Sequence, residues 1–206
     1  MPTLETLTTF LAAATLLALA PGPDNAFVVL QSALYGRRAG LAVVVGLCCG
    51  LTLHSLAVAF GLATFMEASP RALGAVKTLG ACYLVWLAWA TLASSSRKTA
   101  AVQGARPSAQ HLVVTGLVMN VTNPKVLLFF LAFLPQFVDP QRGSVPGQIA
   151  CLGGAFAVAT VVVFGALALA AGGVAERYLQ SPRVQGALRI GAATAFAAIA
   201  IKLWWS

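Results

Sequence analysis

Two short stretches of this chain gather side chains that could do chemistry. The first is Pro21-Gly22-Pro23-Asp24-Asn25, and the second is Asn120-Val121-Thr122-Asn123-Pro124-Lys125. Each joins a helix-breaking proline to side-chain amides and a charge. Asp24 brings a carboxylate and Lys125 an ammonium, and both lie inside long apolar runs. A charge at the centre of a lipid bilayer costs about 2.5–3.5 kcal/mol or more, so such groups must pair, hydrate or neutralise. If the two stretches meet, they form a polar pocket with both signs of charge. That pocket suits a small zwitterion. Asp24 and exposed carbonyls would take its ammonium, and Lys125 with helix N-terminal amides would take its carboxylate. The plainer alternative is structural: Asp24 caps a helix and forms a salt bridge to Lys125, holding two broken helices in place.

The breaks follow from backbone chemistry. Pro21, Pro23 and Pro124 each lack an N–H and clash with the preceding turn. Gly22 permits dihedrals that other residues avoid. Asp24 and Asn25 sit where a new helix would begin, and Asn120 and Asn123 flank the second break with further capping groups. Inside a membrane, such breaks are tolerated only where protein or a water-filled cavity satisfies the freed backbone groups. The candidate set is therefore Asp24, Asn25, Asn120, Asn123 and Lys125 for solute and proton binding. Pro21, Gly22, Pro23 and Pro124 make the helix breaks.

The elements that must position these residues are membrane-spanning helices. Hydrophobic residues form 59% of the 206-residue chain and charged residues 9%. That is far below the roughly 25% charged residues of soluble domains, so the chain cannot cover a water-facing surface. Apolar runs cover residues 4–35, 39–65, 72–93, 112–138, 147–173 and 184–205. These predict an all-α polytopic protein with six transmembrane helices, forming one domain over residues 1–206. The first run, at 32 residues, would reach roughly 48 Å as one helix. The hydrocarbon core is about 30 Å thick, so broken helices absorb the excess better than tilt. The fourth run is also over-long and is interrupted by proline.

Aligning Pro23 with Pro124 sets Asp24 opposite Lys125. The layout then reads as two inverted three-helix repeats, about 1–93 and 111–206, joined by a loop over 94–110. Interrupted segments at corresponding positions of two halves point to a central binding site.

The net charge of +8 does not point to nucleic acid. The basic residues fall singly or in pairs between apolar runs, as in loops facing an anionic leaflet. With the N-terminus outside, the inner side carries Arg37, Arg38, Arg97, Lys98, Arg106, Arg177, Arg183 and Arg189. The outer side carries Arg71, Lys77, Arg142 and Lys202. This bias predicts both termini outside, with a five-span arrangement and an inner N-terminus as the alternative. Ala18-Leu19-Ala20 mimics a signal-peptidase site, but the preceding segment holds Glu5 and no Lys or Arg, so it reads as the first span.

Other residues read more quietly. His54, alone in the second run, is a packing residue or a candidate proton relay. Gly36, Gly40, Gly46 and Gly50 include spacings that allow close helix approach. Phe129, Phe130, Phe133 and Phe137 read as core or lipid-facing packing. Cys48, Cys49, Cys82 and Cys151 lie in apolar runs and form no CxxC pair, so neither a disulfide framework nor a metal site is indicated. No cofactor is expected.

Taken together, Pro21-Gly22-Pro23, the glycine-rich run starting at Gly36-Arg37-Arg38-Ala39-Gly40, Asn123-Pro124-Lys125 and the following Phe129-Phe130-Leu131-Ala132-Phe133-Leu134-Pro135-Gln136-Phe137 resemble the LysE/RhtB-type amino-acid exporters. Leu79 to Trp89 fits the aromatic and glycine pattern of that family's third run. The resemblance covers essentially the whole chain. It implies a multi-pass protein of the bacterial inner membrane that exports amino acids or their derivatives, driven by the proton gradient. Its expected partners are a zwitterionic solute, protons and the lipid bilayer, and a homodimer is compatible with its size. Two other classes stand beside this one. One is an exporter of a different small amine or cation. The other is an intramembrane enzyme or redox protein, for which the chain offers only adjacent Cys48-Cys49 and two separated histidines.

Overall fold

The computed structural model describes residues 1–68, 107–171 and 181–204, with isolated positions 78, 82, 85, 86, 88, 89, 92 and 93 between them. All regular structure among the described residues is helical. Helix α1 spans Leu4–Leu19, α2 Pro23–Tyr35, α3 Arg37–Ala68, α4 Ala109–Thr122 and α5 Pro124–Leu128. A π turn, Phe129–Phe133, and a 3-10 turn, Leu134–Phe137, continue α5. Helix α6 spans Val145–Ala170 and α7 Pro182–Trp204.

The first and fourth apolar runs are bent at the expected places. Helices α1 and α2 meet at 62°, and α4 meets the α5 segment at 53°. Two single helices, Arg37–Gly61 within α3 and Val145–Ala170, are long and apolar enough to cross a membrane, and each bent pair qualifies when taken as one span. Most of the third run, the Pro70-Arg71 break, most of the Leu79–Trp89 pattern, the basic residues Arg97, Lys98 and Arg106, and Glu176, Arg177 and Trp205 lie outside the described residues.

One expectation about the first break needs correction. Gly22, in extended backbone, is the residue before α2, and Pro23 opens that helix with no side-chain cap. Asp24 lies inside the first turn and caps nothing. A proline at the first helical position is preorganised there, so the glycine-proline pair starts α2 without a capping side chain. At the second break the capping expectation holds: Asn123 Oδ1 accepts from the Lys125 N–H at 3.0 Å. Thr3, Ser108 and Ser144 cap α1, α4 and α6 in the same way.

Helix α3 is the spine. It packs most extensively against α4 and α6, and also against α2. The α3–α4 crossing brings backbones together. A Cβ at Gly46 would overlap the Val113 carbonyl, and one at Gly116 would lie 2.5 Å from the Val43 carbonyl oxygen. The small-residue spacing in the second run therefore serves packing within this chain. Gly36 acts through its backbone instead. With φ at 87° it forms the one-residue joint between α2 and α3.

Below the second break, aromatic packing locks the chain. Phe129, Phe130 and Phe133 are fully buried. They pack with Phe10 of α1 and Phe156 of α6, with ring centroids 4.6–6.5 Å apart. The outward residues of α6, such as Val158, Val161 and Val162, are apolar, which suits a helix whose outer face meets lipid.

Gly116→Val should destabilise the protein by about 1–3 kcal/mol or more, the usual range for overpacking. Gly154→Ala, with nothing within 4 Å of the added Cβ, should be near neutral. Thermal unfolding of the purified variants in micelles compares the two.

Candidate functional site

The two breaks meet, and the second supplies donors that the first lacks. In α1, the Leu17 carbonyl would normally accept from residue 21, but Pro21 has no N–H. Lys125 Nζ, from the second break, donates to Leu17 O at 2.9 Å and to Ala20 O at 3.1 Å. Asn25 Nδ2 reaches back to Ala18 O at 2.8 Å. Three carbonyls at the open end of α1 are thus satisfied by side chains. Gly22 lies beside this arrangement: a Cβ there would be in ordinary contact with Lys125 Nζ, at 3.4 Å.

The exchange also runs the other way. Asp24, from the first break, accepts from Asn123 Nδ2 at 2.7 Å through Oδ2. The same Asn123 caps α5 through Oδ1, so its amide links the carboxylate to the start of that helix. In α4, the Asn120 carbonyl would normally accept from residue 124, which is proline. It receives the Asn123 N–H at 3.1 Å instead, with His54 Nε2 a further 3.4 Å contact from α3. The His54 ring stacks on Phe130, with centroids 5.3 Å apart. The Asn120 side chain lies against Gly50, where a Cβ would come within 2.5 Å of Oδ1.

Asp24, Asn25, Asn120, Asn123 and Lys125 are therefore gathered at one junction of α1, α2, α4 and α5. His54 joins them through the Asn120 carbonyl, so it is tied to the break as well as packed. The ammonium of Lys125 is directed at the α1 carbonyls. The acceptor side differs. Asp24 is 4% exposed and Asn120 3%, and Asp24 Oδ1, Asn25 Oδ1 and Asn120 Oδ1 are buried without a hydrogen-bond partner. An unpartnered buried acceptor costs about 1–3 kcal/mol. Each of these oxygens can accept a hydrogen bond from an N–H donor. No cluster of three His, Cys, Asp or Glu side chains suited to a metal occurs among the described residues.

Sequence reasoning missed four buried polar residues, Gln31, Ser32, Gln148 and, on α6, Thr160. Gln148 (1% exposed) ties the turn before α6: its Oε1 accepts from Asp139 N at 3.0 Å, and its Nε2 donates to Asp139 O at 2.7 Å. Gln31 and Ser32 are buried on α2. The available signal was their spacing: Gln31 falls seven residues after Asp24, on the same helical face.

Lys125→Met should cost about 2–6 kcal/mol, since it strips the donor from two buried carbonyls at about 1–3 kcal/mol each. Asp24→Asn keeps an acceptor for Asn123 and should cost less. Chemical or thermal unfolding in lipid nanodiscs gives both values.

The family described as LysE type translocator matches residues 15–206. An uncharacterized membrane protein of Vibrio cholerae is 34% identical over 176 residues, covering 85% of this chain and 84% of its own. A homoserine/homoserine lactone efflux protein of Salmonella typhimurium is 32% identical over 182 residues, covering 87% and 86%. A leucine efflux protein of Enterobacter sp. is 31% identical over 132 residues, covering 64% and 63%. No solved structure matches. The chain belongs to the LysE translocator family of membrane proteins.

Proposed function

We propose that this protein exports an amino acid, or a derivative that keeps the amino group, across the bacterial inner membrane. The observation that carries the reading is the set of unpartnered buried acceptors, Asp24 Oδ1, Asn25 Oδ1 and Asn120 Oδ1, at the junction of two broken helices. The efflux proteins among its relatives support the same class of solute.

In this reading the solute's ammonium docks on Asp24, with Asn25 and Asn120 completing its shell. Asn123 orients Asp24. Lys125 holds the open end of α1 and keeps the break in shape. The carboxyl end of the solute meets the first amides of α2, where Gly22 provides no competing side-chain cap. Asp24 releases and regains a proton as access alternates, and His54, beside Asn120, relays it. The single domain, residues 1–206, has six spans in two inverted repeats, about 1–93 and 111–206, with the 94–110 loop between them. The repeats rock about the junction, both termini face outward, and two copies pair as a homodimer. The chemistry is transport without a catalysed reaction or a cofactor.

A second reading, export of another small amine or cation, draws on one feature. The unpartnered atoms beside the two breaks, Asp24 Oδ1, Asn25 Oδ1 and Asn120 Oδ1, are all acceptors, and Lys125 is engaged by carbonyls. A carboxylate is then less important to recognition than an amino group.

Proteoliposomes loaded with the twenty amino acids, homoserine lactone and simple amines, under an imposed proton gradient, test both readings. Loss of one or a few amino acids supports the first, and loss of amines alone supports the second. Asp24→Asn should abolish gradient-driven export from folded protein. Undiminished export by that variant would remove Asp24 from the mechanism.

A further inference from the structure

Six hydroxyls inside the described helices share a habit that Ser32 does not follow. Thr15, Thr52, Ser55, Thr115, Thr122 and Thr194 each donate to the carbonyl four residues earlier. This back-bonding is the ordinary way for a helical hydroxyl to be satisfied in an apolar setting. Ser32 Oγ makes no such bond. It is buried without a partner, as is the Oε1 of its neighbour Gln31. The two residues are 2% and 8% exposed.

Their position is informative. The buried face of α2 consists of Asp24, Val28, Gln31 and Ser32. Seven residues of helix rise roughly 10 Å, so Gln31 stands that far along the same face from Asp24. Leu34, on the outward face, is 45% exposed. Ser32 points at α3: a Cβ at Gly40 would overlap its Oγ and would also touch the Ala168 side chain of α6. The stripe thus runs from the central junction toward the Gly36–Arg38 end of α2. Alanine and leucine at these two positions would avoid the desolvation cost.

We propose that Gln31 and Ser32 form a second polar station, which receives the solute's amino group between Asp24 and the Gly36–Arg38 end of α2. The station rests on the export reading above. The Ser32–Gly40 contact closes the seam between α2 and α3, and the single-residue joint at Gly36 lets α2 swing to open it.

The test uses a variant in which Cys48, Cys49, Cys82 and Cys151 are replaced, reconstituted in proteoliposomes. Gln31→Cys, Ser32→Cys and Leu34→Cys are each added singly. A methanethiosulfonate reagent with a fixed trimethylammonium charge needs a polar route to reach a thiol. The expected result is modification at positions 31 and 32, slowed by the exported amino acid, and none at position 34. Cysteines at 31 and 32 as inert as that at 34, in protein that elutes as a folded species, overturn the station.

Export kinetics give an independent readout. Gln31→Leu should raise the half-saturating internal concentration about tenfold, the factor for losing one hydrogen bond to a charged group, with the maximal rate retained. An unchanged value also overturns the proposal. The two readings fail separately. Modification at 31 and 32 in a protein that exports no amino acid removes the amino-acid reading and supports a station open to cations. Inert cysteines beside working export remove the station alone.

Discussion

The structure depends on one constraint: backbone carbonyls that lose their donors to proline must find new ones where water is scarce. Pro21 removes the partner of Leu17, and Pro124 removes the partner of Asn120. Lys125 restores the first from the opposite break, at 2.9 Å. Asn123 and His54 serve the second. Because Lys125 reaches across from a segment about a hundred residues away, the first break depends in this form on the second. The polar junction follows from that repair together with the Asn123–Asp24 hydrogen bond.

The repair also shapes the electrostatics. Lys125 spends donors on carbonyls, and Asp24 spends one oxygen on Asn123, leaving the other free. The donors are consumed first because the broken backbone exposes only acceptors at the end of α1. What remains at the junction is an excess of buried oxygens, which suits a solute rich in N–H groups.

Packing carries this junction on a rigid frame. Glycines let α3 lie directly on α4 at Gly46 and Gly116. That contact brings Gly50 against Asn120 and His54 against the Asn120 carbonyl. On the other side, Phe10, Phe129, Phe133 and Phe156 fix α1 and the segment after α5 to α6. The π turn at Phe129–Phe133 widens the helix locally, and Phe129, Phe130 and Phe133 are all fully buried there.

The sequence by itself determined that the protein lives in a membrane, that its first and fourth apolar runs break, and where. Those features are local: too few charges to face water, and prolines that no helix interior accepts. It also marked Asp24, Asn25, Asn120, Asn123 and Lys125, because polar residues beside a proline in an apolar run must cap a helix, pair or bind a polar partner. Only the tertiary structure decided their partners. Asp24 could have capped α2 or paired with Lys125. It does not cap α2; its carboxylate accepts from Asn123, while Lys125 donates to the carbonyls of Leu17 and Ala20. His54 read as a lone histidine until the α3–α4 crossing set it beside Asn120. Gln31 and Ser32 carried no motif. Their burial and lack of partners depend on how α2 lies against α3 and α6, and a hydrogen bond across helices is a property of distance in space that spacing along the chain does not contain.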